Sequence, residues 1–265
     1  MKVCFLLERG SPPRLNPILA EVFALLERGG IAVTALYPEE ELLRLDTLAV
    51  EADLYLLKSD SELALSLATA LEGLGARVLN RCSASARAKD KVLAAMTLLR
   101  AGIPAPRSLV AARADQLAAQ VANGPLVLKP HRGYHGAGVK VADTPATLPP
   151  AAAYPDLVFA QDYLAGARTD LKVFVIGDEV FGVRKAFGPD SFLQTGEPVL
   201  LSAEAESIAR RCGEAFGLGL YGLDIAEDDT GLHVVDVNYF PGYRGVPDAA
   251  ARLARYILLV ARQHA

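Results

Sequence analysis

Tryptophan is absent from this 265-residue chain, methionine occurs twice, cysteine three times and histidine four times. Cys4, Cys82 and Cys212 are too scattered for a metal-ligand spacing and too few for a disulfide framework, so they read as buried thiols in a reducing compartment. Nor is there an excess of positive charge. The 27 Lys and Arg against 31 Asp and Glu leave a net charge of −4, which argues against a duplex-binding face. No apolar run approaches the roughly 20 residues needed to cross a bilayer. The run Val3–Leu7 stops at Glu8 and Arg9, too early for a secretory leader. A solenoid period and low-complexity tracts are missing as well. What remains is 52% hydrophobic and 22% charged, an ordinary folded composition. The expectation is a soluble cytoplasmic protein with no nucleic-acid or membrane partner.

The first ninety residues alternate strand and helix signals. Short apolar runs at Lys2–Leu7, Ile31–Leu36, Asp53–Leu57 and Arg77–Leu79 enclose helical spacing at Pro17–Arg28 and Ser61–Leu74. Such alternation predicts a small parallel α/β domain. One helix is expected over Ala88–Ala101 and another over Arg113–Ala122, with strands at Arg107–Val110, Leu126–Lys129 and Val139–Ala142. The last third reads mainly as strands, at Leu157–Gln161, Asp170–Ile176, Glu179–Ala186, Tyr221–Ala226 and Leu232–Val237. Helices Ala203–Phe216 and Pro247–Arg262 complete it. The architecture therefore changes from parallel α/β to mixed α+β near residue 88.

Three constellations carry chemistry. Around Asp228-Asp229-Thr230-Gly231, a three-residue hairpin loop pairs Asp228 with Leu232 and so brings Asp224 opposite Asp236, with Asn238 on the same face. Facing carboxylates repel. A divalent cation resolves that repulsion, and hard oxygen donors suit magnesium or manganese; the bland alternative is a solvated outer face. Second, the strand ending at Lys129 runs into Gly133, Gly136 and Gly138 and then into another strand. Glycines let backbone N–H groups approach phosphate oxygens, and Lys129 supplies charge. The spacing fits neither a Walker A loop nor the dinucleotide fingerprint, so a β-hairpin flap over phosphates competes with an ordinary glycine-rich turn. His131 and His135 lack the carboxylate or cysteine companions of a metal site. Third, Lys89-Asp90-Lys91 opens a helix, where lysines gain nothing from the dipole unless an anion is close.

In this order the segments resemble the ATP-grasp superfamily over most of the chain. Asn80–Val110 is similar to the entry helix whose lysine, here Lys91, reaches nucleotide phosphate. Gly124–Val141 is similar to the segment with the second phosphate lysine, Lys129, and the glycine loop of Gly133, Gly136 and Gly138. Phe159–Val183 resembles the adenine hinge (Gln161, Asp162, Tyr163, Leu164) followed by a ribose-binding acid, Asp170. Tyr221–Ile225 and Val234–Pro247 resemble the metal motif of Asp224, Asp236 and Asn238. The nearest likeness is to the glutamate-ligase (RimK-like) branch, with echoes of the ATP-grasp inositol polyphosphate kinases in Leu56–Asp60 and Asp236–Tyr243. Two departures stand out: Asp236 replaces the usual Glu, and Gly188–Ser202 lacks the branch's Arg-x-Asn and paired glycines.

The resemblance implies an ATP-grasp fold with an N-terminal Rossmann-like domain. The expected division is 1–88 for the parallel substrate-side domain, 89–155 for the small central subdomain and 156–265 for the C-terminal subdomain. It also implies ATP and magnesium (or manganese) as cofactors. About four negative charges on the ATP tail need neutralising, which is the main lever in phosphoryl transfer. Arg184 or Lys185 is the candidate for the transferred phosphoryl group. Arg9, Arg14, Lys58 and Arg244, at strand ends and loops, are candidates for an anionic small-molecule or peptide substrate. The leading function is an ADP-forming ligase that activates a carboxylate for an amine; such a reaction needs no protein nucleophile. Rivals are a kinase for a polyol or inositol phosphate and a nucleotide-binding module without turnover. Retention of both lysines and all three metal oxygens argues against the last. The oligomeric state stays open, a homodimer included.

Overall fold

The computed structural model describes residues 1–8, 16–133, 136–165, 170–185 and 195–263, with Asp170 by its backbone alone. Strands β1 (Lys2–Leu7), β2 (Ala32–Leu36), β3 (Leu54–Lys58) and β4 (Val78–Leu79) form a parallel sheet in the order β2-β1-β3-β4. Central β1 and β3 are buried almost throughout, as near-continuous apolar runs in a parallel sheet must be. Helix α1 (Pro17–Arg28) starts with Pro17 in its first turn and the Asn16 side chain accepting from the Ile18 N–H; α2 (Glu62–Gly73) is capped by Ser61.

The helix expected over Ala88–Ala101 is two helices, α3 (Cys82–Lys89) and α4 (Lys91–Arg100). Asp90 adopts extended backbone between them, and its carboxylate accepts from the N–H groups of Val92 and Leu93. An Asp that can cap a new helix competes with continuing the old one. Residues Arg113–Ala122 form a 3-10 turn at Ala114–Leu117 and one short α-helix, α5 (Ala118–Val121), rather than one regular helix.

A second, antiparallel sheet contains β5 (Ser108–Ala111), β6 (Leu126–Pro130), β7 (Lys140–Ala142) and β8 (Val158–Asp162) in the order β5-β8-β6-β7. Because β8 pairs with β5 and β6, this central sheet extends past the boundary expected at residue 155. The third sheet holds β9 (Asp170–Ile176), β10 (Glu179–Lys185), β11 (Glu197–Val199), β12 (Leu220–Asp228) and β13 (Gly231–Tyr239) in the order β11-β10-β9-β12-β13. Helices α6 (Ala203–Phe216) and α7 (Ala249–Arg262) cover it, and α7 also packs against α1.

The described residues form two apolar cores. A large one runs without interruption from the parallel sheet through α3 and α4 into the β9–β13 sheet, α6 and α7. A small one serves the central sheet alone, around Leu126, Leu128, Tyr154, Val158 and Ala160. Among the described residues no helix is long and apolar enough to cross a membrane. All three cysteines are free and buried, and burial raises their thiol pKa values, to about 12 at Cys82 and Cys212.

Candidate functional site

The β12–β13 hairpin turns through two residues, Asp229 and Thr230, so Asp228 pairs with Gly231 rather than with Leu232. That slip shifts the register by one residue from the expected one. A β-bulge restores it: past Ile225↔Val234 the ladder shifts, and Asp224 pairs with Asp236. The burial pattern records the event. Leu232 and Val234 are buried before the bulge, and Val237 and Tyr239 after it, so the inward parity changes across Val235. Val235 is the extra residue. Asn238 pairs with Gly222, and Asp224, Asp236 and Asn238 therefore share one face.

Ammonium groups answer both carboxylates. Lys172 Nζ lies 2.7 Å from Asp224 Oδ2, and Lys91 Nζ lies 3.6 Å from Asp236 Oδ1. Lys172 follows from register alone, because β9 lies beside β12 and pairs Lys172 with Asp224. Sequence reading passed over it; a lysine in alternation with Leu171 and Val173 was the available signal. Register also separates the candidates for the transferred phosphoryl group. Val183 pairs with Lys172, so Lys185, two residues on, shares the carboxylate face, whereas Arg184 points to the other side. Lys185 is 7% exposed and Arg184 is exposed.

Lys129 approaches from the central sheet. Its Nζ donates to Gln161 Oε1 (2.6 Å) and across the cleft to the carbonyl of Val235 (3.0 Å). Burial pulls its pKa below the usual lysine value, against an opposing pull from Asp236. On the same sheet face Val110, Val127 and Val141 present apolar surface, Val110 and Val141 being exposed. The four hinge candidates divide. Gln161 is buried, Asp162 forms a forked ion pair with Arg107, Tyr163 is exposed with its N–H bonded to Pro125 O, and Leu164 is half-buried.

The glycine-rich stretch lies between β6 and β7 as a hairpin connection. Gly136 and Gly138 have φ of 71° and 73°, a left-handed backbone that glycine adopts without strain. Gly133 offers its carbonyl to Lys91 Nζ at 3.2 Å, and the Lys91 N–H donates to His131 O. Arg132 pairs with Glu62 (3.4 Å) and Asp90 (3.7 Å), and Lys89 also pairs with Glu62 (3.0 Å). Protein carboxylates lie beside this segment: Glu62 pairs with Lys89 and Asp236 with Lys91. Burial alone raises the Glu62 pKa, but Lys89 and Arg132 outweigh it and hold the carboxyl below its ordinary value.

A cavity of about 150 Å³ opens beside this cluster, lined among others by Asp60, Lys89, Lys91, Arg132, Asp236 and Asn238. Lys58, at the carboxyl end of β3, lies 5.8 Å from the Phe240 ring centre, and burial lowers its pKa. Arg244 is half-buried in the loop after β13, where Phe240 and Tyr243 hold left-handed backbone. Arg9, Arg14, His135, the side chain of Asp170 and residues 188–194 lie outside the described residues.

The donor set suits a magnesium-sized ion. Among the described residues no three His, Cys, Asp or Glu side chains converge, but two carboxylates and an amide oxygen share the face. Magnesium is commonly held by one or two carboxylates and completed by substrate phosphates.

A family model for the RimK-like ATP-grasp domain matches residues 88–258. A probable alpha-L-glutamate ligase of Haemophilus influenzae is 30% identical over 218 residues, covering 75% of this chain and 72% of that protein. Among solved structures, a RimK domain ATP-grasp protein from Sphaerobacter thermophilus superposes with a TM-score of 0.77 at 19% identity, covering 97% of this chain and 100% of that one. D-cycloserine synthetase DcsG gives 0.75 at 15% identity over 99% and 100%. At such identities the structural likeness speaks to the fold.

Proposed function

Given that the chain belongs to the RimK-like ATP-grasp family, whose members are ATP-dependent carboxylate–amine ligases, we propose that it forms an amide by way of an acyl phosphate at the Asp224–Asp236 cluster. The observation that carries this reading is the facing pair of carboxylates with Lys91, Lys129 and Lys172 converging on it from three elements. Asp224, Asp236 and Asn238 would hold the divalent ion. When bound, that ion neutralises and aligns phosphate oxygens. Lys91 and Lys129 neutralise the nucleotide tail, the base lies against Val110, Val127 and Val141, and Leu164 offers backbone at the hinge. Lys185 stabilises the phosphoryl group in flight.

The substrate enters through the cavity between α2 and β13. Its carboxylate oxygen attacks the γ-phosphorus of ATP, and the bond to the β–γ bridging oxygen breaks to release ADP. The amine then attacks the acyl carbon, loses a proton and expels phosphate. Preorganised positive charge does most of this work. Arg132 on the cavity wall favours an anionic substrate, with Lys58 and Arg244 outside that lining, and the cavity volume favours a small molecule or the end of a peptide.

Incubation with ATP, magnesium, pooled metabolites and hydroxylamine tests the scheme. Hydroxamate together with ADP is the expected result. ADP with a stable phosphomonoester would indicate a kinase instead, and nucleotide binding with no ADP a module without turnover.

A further inference from the structure

Gln161 is 5% exposed, one residue from the end of β8, between Ser108 of β5 and Val127 of β6. We propose that it is a positioning residue for the ammonium group of Lys129, not a reader of the nucleotide base. This rests on the reading of Lys129 as a phosphate-binding group.

Hydrogen-bond direction carries the argument. The Ser108 hydroxyl donates to Pro106 O at 3.1 Å, which leaves its oxygen as an acceptor toward Gln161. Gln161 Nε2 donates to that oxygen at 3.4 Å, so the amide's Oε1 is turned toward Lys129, where it accepts from Nζ at 2.6 Å. The reverse orientation would set an NH₂ group against an ammonium. One N–H of the amide and one lone pair of its oxygen are therefore committed within the sheet.

An ammonium has three N–H groups. One goes to Gln161, and a second goes to Val235 O at 3.0 Å. That carbonyl belongs to the bulged residue directly before Asp236. Two fixed acceptors, one on each sheet, define where the third N–H of a tetrahedral nitrogen points. Among the described residues it has no acceptor, so it is the one left for a phosphate oxygen. Without Gln161 only the Val235 carbonyl remains, and the long lysine side chain regains its rotamers.

Gln161→Met keeps the length and removes the acceptor. Calorimetry with ADP and magnesium, and saturation-transfer NMR with adenosine, separate the two roles. The expected result is about a tenfold loss of ADP affinity with adenosine affinity unchanged, as for a hydrogen bond to a charged group. Gln161→Glu, which keeps the acceptor oxygen, should recover most of the ADP affinity. Equal losses for adenosine and ADP would show a base contact and overturn the inference. So would an unchanged ADP affinity, or a Glu variant as weak as Met. If the unmodified protein binds neither ligand, the ATP reading itself fails and this one with it.

Discussion

The parallel sheet and the β9–β13 sheet share one apolar core, whereas the central sheet keeps a small core to itself. Buried polar groups reinforce the first junction. Asn80 donates to Leu220 O and accepts from the N–H groups of Gly219 and Leu220. Arg77 donates to the last carbonyls of α7, and Tyr239 OH donates to Ser59 O. The central sheet and its β6–β7 connection meet that body through polar contacts that include Lys129 to Val235 O, Lys91 to Gly133 O, and Arg132 to Glu62 and Asp90. Asp224, Asp236 and the cavity floor thus belong to one body and Lys129 to another. A cleft whose walls have separate cores can adjust its width without either core being repacked.

Substitutions on the two sides should differ in kind. Asp236→Ala, on the large body, is expected to lower ADP release at least about a hundredfold, as for a removed electrostatic element. Its melting temperature should stay close to that of the unmodified protein, because the residue is partly exposed and its carboxylate faces another. An unchanged rate would remove Asp236 from the metal site. Asn80→Ala strands one buried and one half-buried N–H group and a buried carbonyl, so urea titration should show a loss of about 2–4 kcal/mol for the whole body. Were only the parallel sheet to melt early, the shared core would not be a cooperative unit.

Tyr154→Phe probes the central sheet, where the buried hydroxyl donates to Gly138 O at 2.7 Å and reaches Leu128 O at 3.3 Å. A cost of about 1 kcal/mol is expected. Hydrogen exchange should quicken at β6–β8 amides while β9, β12 and β13 keep their protection. The smallest effect belongs to Glu62, which joins Arg132 and Lys89 at the junction. Its pKa is lowered in the fold, so its stabilisation is complete above the ordinary carboxyl value of 4.5 and is lost as pH falls through the lowered one. Glu62→Gln should therefore cost up to about 1 kcal/mol at pH 7 and progressively less as pH falls below 4.5, read from urea midpoints across that range.

Much of the site was legible because it lies in local pattern. Alternation around Asp228–Gly231 brought Asp224 against Asp236 even though the turn was misread; a two-residue loop and a bulge cancel in register. Lys91 and Lys129 stood out as charges at element ends. Asp90 was legible as an N-terminal residue but not as a break, since a helix boundary is a contest between nearly equal local energies. Lys172 escaped notice because its meaning depends on which strand lies next to β12.

The amino-acid sequence by itself determined most of the elements, the facing carboxylates and the family, because periodicity, turn chemistry and motif order act over a few residues. Tertiary structure decided which partner each charge has: Lys172 for Asp224, Lys91 for Asp236, Gln161 for Lys129, and Lys185 instead of Arg184 on the carboxylate face. Strand order and sheet-to-sheet approach set those pairings, and both arise from burying apolar faces between segments far apart in the chain.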